Sequence, residues 1–281
     1  MSASRLAAWI VGALVSALAS AGVAAEVERY VRFQEGAALS YGRVSGEQVQ
    51  PLSAAPWKGG VPVGGALALN EVTLLAPVEP SKVIAVGFNY VSHRGAREPD
   101  PYPGLFAKFP TSLAGPTADI VYPEDATDLH FEGEMVVVIG ALTSRVPVES
   151  AAGHVFGVTT GNDVSERGWQ AADLQWLRAK GHDGFGPVGP MVVRGLDYTN
   201  LLLETRVNGE VRQSQRTSDL IFSVAELVSY VSRYVTLLPG DVIFTGTPGT
   251  TSALKPGDVV EVELEGVGVI RNRIVGPGGG D

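Results

Sequence analysis

The fold is predicted from one stretch of sequence, His130-Phe131-Glu132-Gly133-Glu134-Met135-Val136-Val137-Val138-Ile139-Gly140. Its apolar run from Met135 to Ile139 does not alternate with polar residues, which is typical of a strand buried on both faces. Because side chains alternate along a strand, Glu132 and Glu134 should point to the same side. Two such carboxylates repel each other and lose hydration, and a divalent cation would offset both costs. A solvated strand face is the plainer interpretation of the motif alone.

A third carboxylate follows a second predicted strand. Residues 155–160 have the composition of a short strand, which Gly161-Asn162-Asp163 ends. Three carboxylates without cysteine are hard oxygen ligands, which suit Mg²⁺ or Mn²⁺, with Ca²⁺ as an alternative, better than zinc. We therefore predict a metal site formed by Glu132, Glu134 and Asp163.

The composition sets limits on fold and partners. The 281 residues suffice for one large domain or for a large and a small one, and 35 glycines and 18 prolines separate many short apolar runs. We expect an α+β fold that is predominantly β. The net charge of -9 without a basic block argues against nucleic acid as a partner. The absence of cysteine excludes disulfides, thiolate zinc sites and a cysteine nucleophile. Nucleotide chemistry, zinc proteolysis and serine hydrolysis have no motif in the sequence to support them.

The N-terminal sequence predicts export. Residues 1–25 have the form of a signal peptide, since Arg5 is followed by an uncharged apolar stretch and Val23-Ala24-Ala25 resembles a cleavage site. Cleavage would give a periplasmic or secreted protein without stable membrane association. The alternatives are an uncleaved anchor, or a cytoplasmic protein whose true start lies downstream.

Three further segments are predicted. Residues 26–78 resemble a small N-terminal β domain, with a hairpin turn at Glu35-Gly36. Residues 79–276 would form the larger, catalytic domain, and residues 277–281 a disordered tail.

Two helices are expected in the larger domain. Ser165 can cap a helix that runs to about Arg178, with Trp169, Ala172 and Trp176 on its inner face. Ser223 and Glu226 form a capping box, and Leu227, Val228, Val231 and Tyr234 would share one face of the second helix.

Several polar residues lie where a site could form. A buried strand at 82–87 runs into Tyr90 and His93. Lys108 interrupts an apolar run, so it either reaches outward to solvent or meets a buried anion. Arg167 and Gln170 begin next to Asp163, and a guanidinium and an amide are suited to a substrate carboxylate.

An ordered set of motifs resembles the fumarylacetoacetate hydrolase family. The motifs, in chain order, are Gly87-Phe88-Asn89-Tyr90 with His93, Phe106-Ala107-Lys108, Glu132-Gly133-Glu134, Gly161-Asn162-Asp163 with Arg167 and Gln170, Lys180, Gly189-Pro190, Asn208-Gly209, Thr217-Ser218-Asp219 and Thr245-Gly246-Thr247-Pro248. The resemblance implies a mixed β-sandwich roll, a Mg²⁺ or Mn²⁺ site on the three acids and, usually, a homodimer.

The resemblance also implies roles for individual residues. Lys180 would reach the metal-bound substrate or its water, and His93 would act as the base. Lys108, Tyr90 and Thr247 would contact the substrate, in addition to the two residues expected to bind its carboxylate.

The implied function is a metal-dependent enzyme that acts on a small 2-oxo or 1,3-dicarbonyl acid and cleaves a C–C bond by hydrolysis through a metal-bound enolate. The alternatives are a decarboxylase or isomerase that uses the same enolate, and a non-catalytic exported binder of small carboxylates. One departure favours non-hydrolytic chemistry. Where some members carry an acid three residues after the catalytic histidine, this chain has Ala96, and Glu98 is the nearby acid that could replace it.

Overall fold

The computed structural model describes residues 26–98 and 100–279. Its strands are β1 (Glu28–Glu35), β2 (Ala38–Ser45), β3 (Gln48–Leu52), β4 (Leu67–Ala68), β5 (Thr73–Leu75), β6 (Val83–Gly87), β7 (Gly104–Lys108), β8 (Leu113–Ala114), β9 (Ile120–Val121), β10 (Leu129–His130), β11 (Gly133–Ile139), β12 (Val155–Asn162), β13 (Ser165–Glu166), β14 (Gly186–Arg194), β15 (Leu202–Val207), β16 (Glu210–Arg216), β17 (Val242–Phe244), β18 (Val259–Leu264) and β19 (Gly268–Val275). The α-helices are α1 (Val91–Arg94), α2 (Val148–Ala151), α3 (Arg167–Ala172), α4 (Leu177–Gly181) and α5 (Val224–Ser232).

Two sheets form the body of the fold. The large sheet has the order β4-β3-β2-β1-β14-β12-β11-β17-β6-β7, with β5 paired to β1 and β8 paired to β14. The smaller sheet has the order β16-β15-β18-β19-β9. Strands of both sheets share one hydrophobic core, which also receives the buried face of α5. The predicted, mainly β, mixed sandwich is confirmed.

Strand β11 occupies the centre of the large sheet, between β12 and β17. Met135, Val137 and Ile139 enter the core shared with the smaller sheet. Val136 and Val138 enter a second core on the opposite side of the sheet. The predicted burial on both faces is therefore confirmed, and it explains why the run does not alternate with polar residues.

The N-terminal strands continue the large sheet. Strands β1, β2 and β3 form an antiparallel meander, and β1 pairs with β14 from Glu28↔Arg194 to Tyr30↔Val192. Residues 1–25, in which a signal peptide is predicted, lie outside the described residues, as do residues 280 and 281 of the predicted tail. In the described part of the chain, no helix is long and apolar enough to cross a membrane.

The helix predicted from Ser165 to Arg178 is wrong in its start and its continuity. Ser165 lies in β13, which pairs with β10, and the side chain of Glu166 caps α3 by accepting from the N–H of Trp169. The chain then leaves the helical path between α3 and α4. Because Ser165 is a strand residue paired with β10, it does not cap the helix. Trp169 is buried as predicted, but Ala172 is exposed.

The second predicted helix is confirmed as α5, with its capping box between Ser223 and Glu226. Leu227, Val228 and Val231 are buried, but Tyr234 is 70% exposed because the helix ends at Ser232.

Candidate active site

Three carboxylates converge at the adjoining ends of two central strands. Glu132 precedes β11, Glu134 is its second residue, and Asp163 follows β12. The pairing of the two strands, with the N–H of Asp163 donating to the carbonyl of Glu132 at 2.8 Å, brings the three together. One oxygen from each acid lies within 4.8 Å of the others, and all three residues are buried.

Two buried lysines face this acid cluster. The Nζ of Lys180 lies 2.6 Å from Oε2 of Glu132 and 2.9 Å from Oδ2 of Asp163. The Nζ of Lys108 lies 2.7 Å from Oδ1 of Asp163 and also donates to the carbonyl of Lys180. Of the two alternatives for Lys108, contact with a buried anion is therefore the correct one.

The two lysines differ in electrostatics. Burial alone lowers the pKa of Lys180, but the carboxylates of Asp163 and Glu132 outweigh it, and the net effect is a raised pKa. Burial lowers the pKa of Lys108, and the attraction of Asp163 only partly opposes this effect. Lys180 is therefore the more firmly charged of the two ammonium groups.

The pKa values of the two glutamates are shifted in opposite directions. Burial raises the pKa of Glu132, but the charges of Lys180 and Arg167 outweigh it and lower the pKa to about 2. Burial and the charges of Asp163 and Glu132 raise the pKa of Glu134 well above its ordinary value. The carboxylate of Glu134 accepts a hydrogen bond from the N–H of Gly246, and among the described residues it forms no ion pair.

The acid cluster fits a divalent metal ion. It offers three buried, converging oxygen donors, and the charge of Lys180 only partly offsets the burial and the two neighbouring carboxylates that raise the pKa of Glu134. The hydroxyl of Tyr90 is also buried and has no hydrogen-bond partner among the described groups. Burial and the charge of Glu134 raise its pKa, so the phenol is protonated. A cation held by Glu132, Glu134 and Asp163 would supply the missing charge.

Arg167 and Gln170 form the side of the site next to Glu132. The Nη2 of Arg167 lies 2.6 Å from Oε1 of Glu132, and its Nη1 lies 2.7 Å from Oε1 of Gln170. The first turn of α3 therefore presents a guanidinium and an amide together, as the spacing predicted.

His93, in α1, approaches the same acid, Glu132. Its Nδ1 lies 2.7 Å from the carbonyl oxygen of Gly249, and its Nε2 lies 3.8 Å from Oε1 of Glu132. Because a carbonyl can only accept, Nδ1 carries a hydrogen, and Nε2 is the ring nitrogen that faces the site and can accept a proton there. The backbone thus sets the tautomer, a role that the sequence suggested for an acid.

Glu98 is not brought to the imidazole. It is exposed, and within the described residues no hydrogen bond or ion pair joins it to His93. The structure also contains no acid at position 96, where the residue is Ala96.

Thr247 is part of the cavity wall. Its Oγ1 donates to the carbonyl of Gly133 at 2.8 Å and accepts from Nε2 of Gln213 at 2.8 Å. These two bonds hold the hydroxyl in place between β11 and β16.

A cavity of about 520 Å³ reaches the acid cluster at Glu132, the one of the three acids that lines it. Its walls include His93, Glu132, Arg167, Gln170, Lys180 and Thr247, with Phe88, Phe106 and Trp176 as apolar surfaces. The volume is sufficient for a small organic molecule, and the few charged groups in an otherwise apolar lining suit an organic acid.

Sequence reasoning missed three groups at this cavity. The carbonyl of Gly249 left no signal, because every residue has a carbonyl. Thr251 lines the cavity and is hydrogen-bonded to His130, whose imidazole also contacts Asp128. His130 begins the stretch from which the fold is predicted, and Thr251 lies three residues after the motif that ends at Pro248, so their polar side chains were the available signal.

Comparisons with known proteins identify the family of the chain. The family model described as fumarylacetoacetate (FAA) hydrolase C-terminal matches residues 82–275, and the one described as Rv2993c-like, N-terminal matches residues 28–77. Protein Rv2993c of Mycobacterium tuberculosis is 44% identical over 76% of this chain and 83% of its own length. Oxaloacetate tautomerase FAHD2A, mitochondrial, of Homo sapiens is 42% identical over 74% of this chain and 71% of its own length.

A solved structure shares the fold. The 2-hydroxyhepta-2,4-diene-1,7-dioate isomerase from Mycobacterium marinum superimposes with a TM-score of 0.83 and 38% identity, covering 89% of this chain and 99% of the other. The predicted resemblance is thereby confirmed, and the chain belongs to the fumarylacetoacetate hydrolase family.

Proposed function

We propose that the chain is a divalent-metal-dependent isomerase that interconverts the keto and enol forms of a small 2-oxo dicarboxylic acid. The observation that carries the proposal is the geometry of His93. Its Nδ1 is held by a backbone carbonyl, and its Nε2 faces the acid cluster, 3.8 Å from Oε1 of Glu132. Such an imidazole can take a proton and return it, which is the whole requirement of a keto–enol exchange.

The charged residues supply binding and charge stabilisation. Arg167 and Gln170 would hold one substrate carboxylate, since the guanidinium donates two hydrogen bonds in one plane. His93 would take the proton from the carbon next to the carbonyl. The negative charge then develops on the carbonyl oxygen, and the ammonium of Lys180 lies in the same cavity to oppose it. Return of the proton to oxygen gives the enol, and its return to carbon restores the keto form.

A divalent ion on Glu132, Glu134 and Asp163 would act as a Lewis acid beside the substrate oxygens. Mg²⁺ and Mn²⁺ are the candidates, because the donors are all carboxylate oxygens. Lys180 now contacts two of these acids, so its ammonium offsets their repulsion within the chain itself.

The names of relatives support this reaction class. FAHD2A is named for oxaloacetate tautomerisation, and the superimposed protein is named as an isomerase of a dienedioate. Both names describe proton movement in an unsaturated or 2-oxo dicarboxylic acid.

Hydrolysis of a C–C bond is the second candidate. The cavity of about 520 Å³ has room for a small acid and a water, and Nε2 of His93 could activate that water. The absence of an acid at Ala96, together with the exposure of Glu98, makes this the weaker proposal. Homodimer formation and export of the chain remain predictions from the sequence.

The experiment measures three reactions in parallel with Mg²⁺ or Mn²⁺. Ketonisation of enol-oxaloacetate is followed by ultraviolet absorbance, decarboxylation by pyruvate release, and hydrolysis by loss of the diketone absorbance of acylpyruvates. We expect metal-dependent ketonisation that greatly exceeds both cleavage reactions, and its loss in Arg167→Ala. Faster cleavage of acylpyruvates would reverse the order of the two candidates, and no turnover of any substrate would favour a binder.

A further inference from the structure

We propose that Asp128, His130 and Thr251 form a hydrogen-bonded chain that holds the guanidinium of Arg167 in the orientation that binds a substrate carboxylate. This inference rests on the proposed role of Arg167 and adds three positioning residues to it. None of the three was expected to take part in the site.

The chain consists of three consecutive hydrogen bonds. The Nη2 of Arg167 lies 3.0 Å from Oγ1 of Thr251. The same oxygen lies 2.8 Å from Nδ1 of His130. The Nε2 of His130 lies 2.9 Å from Oδ1 of Asp128.

The donors and acceptors define one direction along this chain. A guanidinium only donates, so the oxygen of Thr251 accepts from Arg167. A carboxylate only accepts, so Nε2 of His130 carries the hydrogen. In the neutral ring Nδ1 is then an acceptor, and Thr251 donates its hydroxyl hydrogen to it. The hydroxyl cannot rotate without breaking a bond, and its lone pair stays directed at Arg167.

The backbone brings the three segments together. Strand β10, which contains His130, pairs with β13 immediately before Arg167. The N–H of Arg167 donates to the carbonyl of Asp128 at 2.9 Å, and the carboxylate of Glu166 accepts from the N–H of Asp128 at 2.8 Å.

The opposite side of β10 joins the loop that carries Thr251. His130 forms an isolated bridge with Ala253, and the N–H of Leu254 donates to the carbonyl of Leu129 at 2.7 Å. His130 therefore lies between the segment that carries Arg167 and the one that carries Thr251. Its Nδ1 is directed at Thr251 and its Nε2 at Asp128.

Two acceptors hold the guanidinium of Arg167. Nη2 of Arg167 donates to Glu132 at 2.6 Å as well as to Thr251. Its two hydrogens point in different directions, so the two acceptors together fix the guanidinium plane. Without the hydroxyl, the guanidinium could turn toward Glu132 and away from the cavity. Arg167 would still be present, but its guanidinium would be misplaced for binding a substrate carboxylate.

The test compares Thr251→Val, which keeps the shape but lacks the hydroxyl, with Thr251→Ser, which keeps the hydroxyl. The probe is oxalate, a small dicarboxylate, titrated calorimetrically into the Mg²⁺-loaded full chain. We expect about tenfold weaker binding in Thr251→Val, because a hydrogen bond to a charged group is lost, and near-parental binding in Thr251→Ser. Asp128→Ala should weaken binding about threefold, although that residue lies at the far end of the chain. For turnover we expect a higher KM with kcat within about twofold, the signature of lost ground-state binding.

Crystal structures of the parent and both Thr251 variants give a readout that does not depend on turnover. We expect the guanidinium plane of Arg167 to turn in Thr251→Val and to stay in Thr251→Ser. An unchanged plane in Thr251→Val would overturn the inference, as would oxalate affinity within twofold of the parent. A parent that neither binds oxalate nor turns over a 2-oxo acid would contradict the proposed function, and the position of Arg167 would still decide the inference. Weaker binding in Thr251→Val with an unmoved Arg167 would mean that the hydroxyl contacts the ligand itself, which also overturns it.

Discussion

The Nε2 atom of His93 lies 3.8 Å from Oε1 of Glu132, on the side of the ring opposite its bond to a backbone carbonyl. A main-chain carbonyl thus orients the imidazole, and the free ring nitrogen is directed at the acid cluster.

Replacement of His93 by alanine should lower kcat about 10²-fold or more, because the group that moves the proton is lost. Oxalate affinity should change little, since the carboxylate clamp stays. Steady-state kinetics and calorimetry check the two parts separately. The matched control is Glu98→Gln, which should keep parental kcat because Glu98 is exposed and does not contact the ring. An equal loss in both variants would show that Glu98 completes a dyad during turnover.

Replacement of Glu134 by alanine should weaken Mn²⁺ binding at least about 100-fold, because one of three converging ligands is removed. Electron paramagnetic resonance of free Mn²⁺ measures this directly. Glu124→Ala, at an exposed carboxylate, is the control and should bind Mn²⁺ like the parent. Parental affinity in Glu134→Ala would place the metal elsewhere.

Asp241 should contribute stability that depends on pH. Its buried carboxylate accepts from the N–H and hydroxyl of Ser81, the N–H of Lys82, the N–H of Leu238 and the ammonium of Lys82. Burial raises its pKa, but these donors outweigh it and lower the pKa below the ordinary 3.8. A depressed pKa stabilises the fold above the unfolded-state value and loses this effect as the pH falls through the folded-state value.

Asp241→Asn should therefore cost about 2 kcal/mol near pH 7, because hydrogen bonds to a charged acceptor are lost. The difference in the free energy of unfolding between the variant and the parent should become smaller once the pH falls below about 4. Urea unfolding across this pH range measures it, with the exposed Asp119→Asn as control. A difference that stays constant with pH would show that the carboxylate charge is not responsible.

A substitution of Gly133 by alanine should destabilise the fold by about 1–3 kcal/mol, the usual cost of overpacking a core. A methyl group there would overlap Oγ1 of Thr205 and lie 3.0 Å from Cγ1 of Val262. That threonine hydroxyl is buried and has no hydrogen-bond partner among the described groups.

A double-mutant cycle with Thr205→Ala therefore tests the steric explanation. Thr205→Ala alone should cost little for its hydroxyl, and it should recover part of the loss in Gly133→Ala. Simple additivity of the two changes in the free energy of unfolding would show that the strain lies elsewhere.

The parts of the fold that could be predicted depend on local chemistry. The Asn208-Gly209 motif connects β15 to β16 in a hairpin, because both residues adopt positive φ, 52° and 83°, which this pair tolerates. The capping box at Ser223 and Glu226 needs four consecutive residues and no others. Strand β11 showed its position through an apolar run that only a central strand can bury.

The parts that could not be predicted depend on distant partners. Ser165 has the chemistry of a helix cap, but pairing with His130, thirty-five residues earlier, makes it a strand residue. The tautomer of His93 depends on a main-chain oxygen 156 residues away. Periodicity carries no information about such contacts, so the acids were predicted while the groups that orient their neighbours were missed.

The loop from Thr245 to Thr251 has a consequence for how members of this family could diverge. The N–H of Gly246 donates to Glu134, the carbonyl of Gly249 accepts from His93, and the hydroxyl of Thr251 accepts from Arg167. An insertion or deletion here would displace the proposed metal ligand Glu134, the proposed base His93 and the guanidinium of Arg167 together, because one loop contacts all three. New substrate preferences are more accessible at Ala171 and Trp176, which line the cavity without holding any of these three groups.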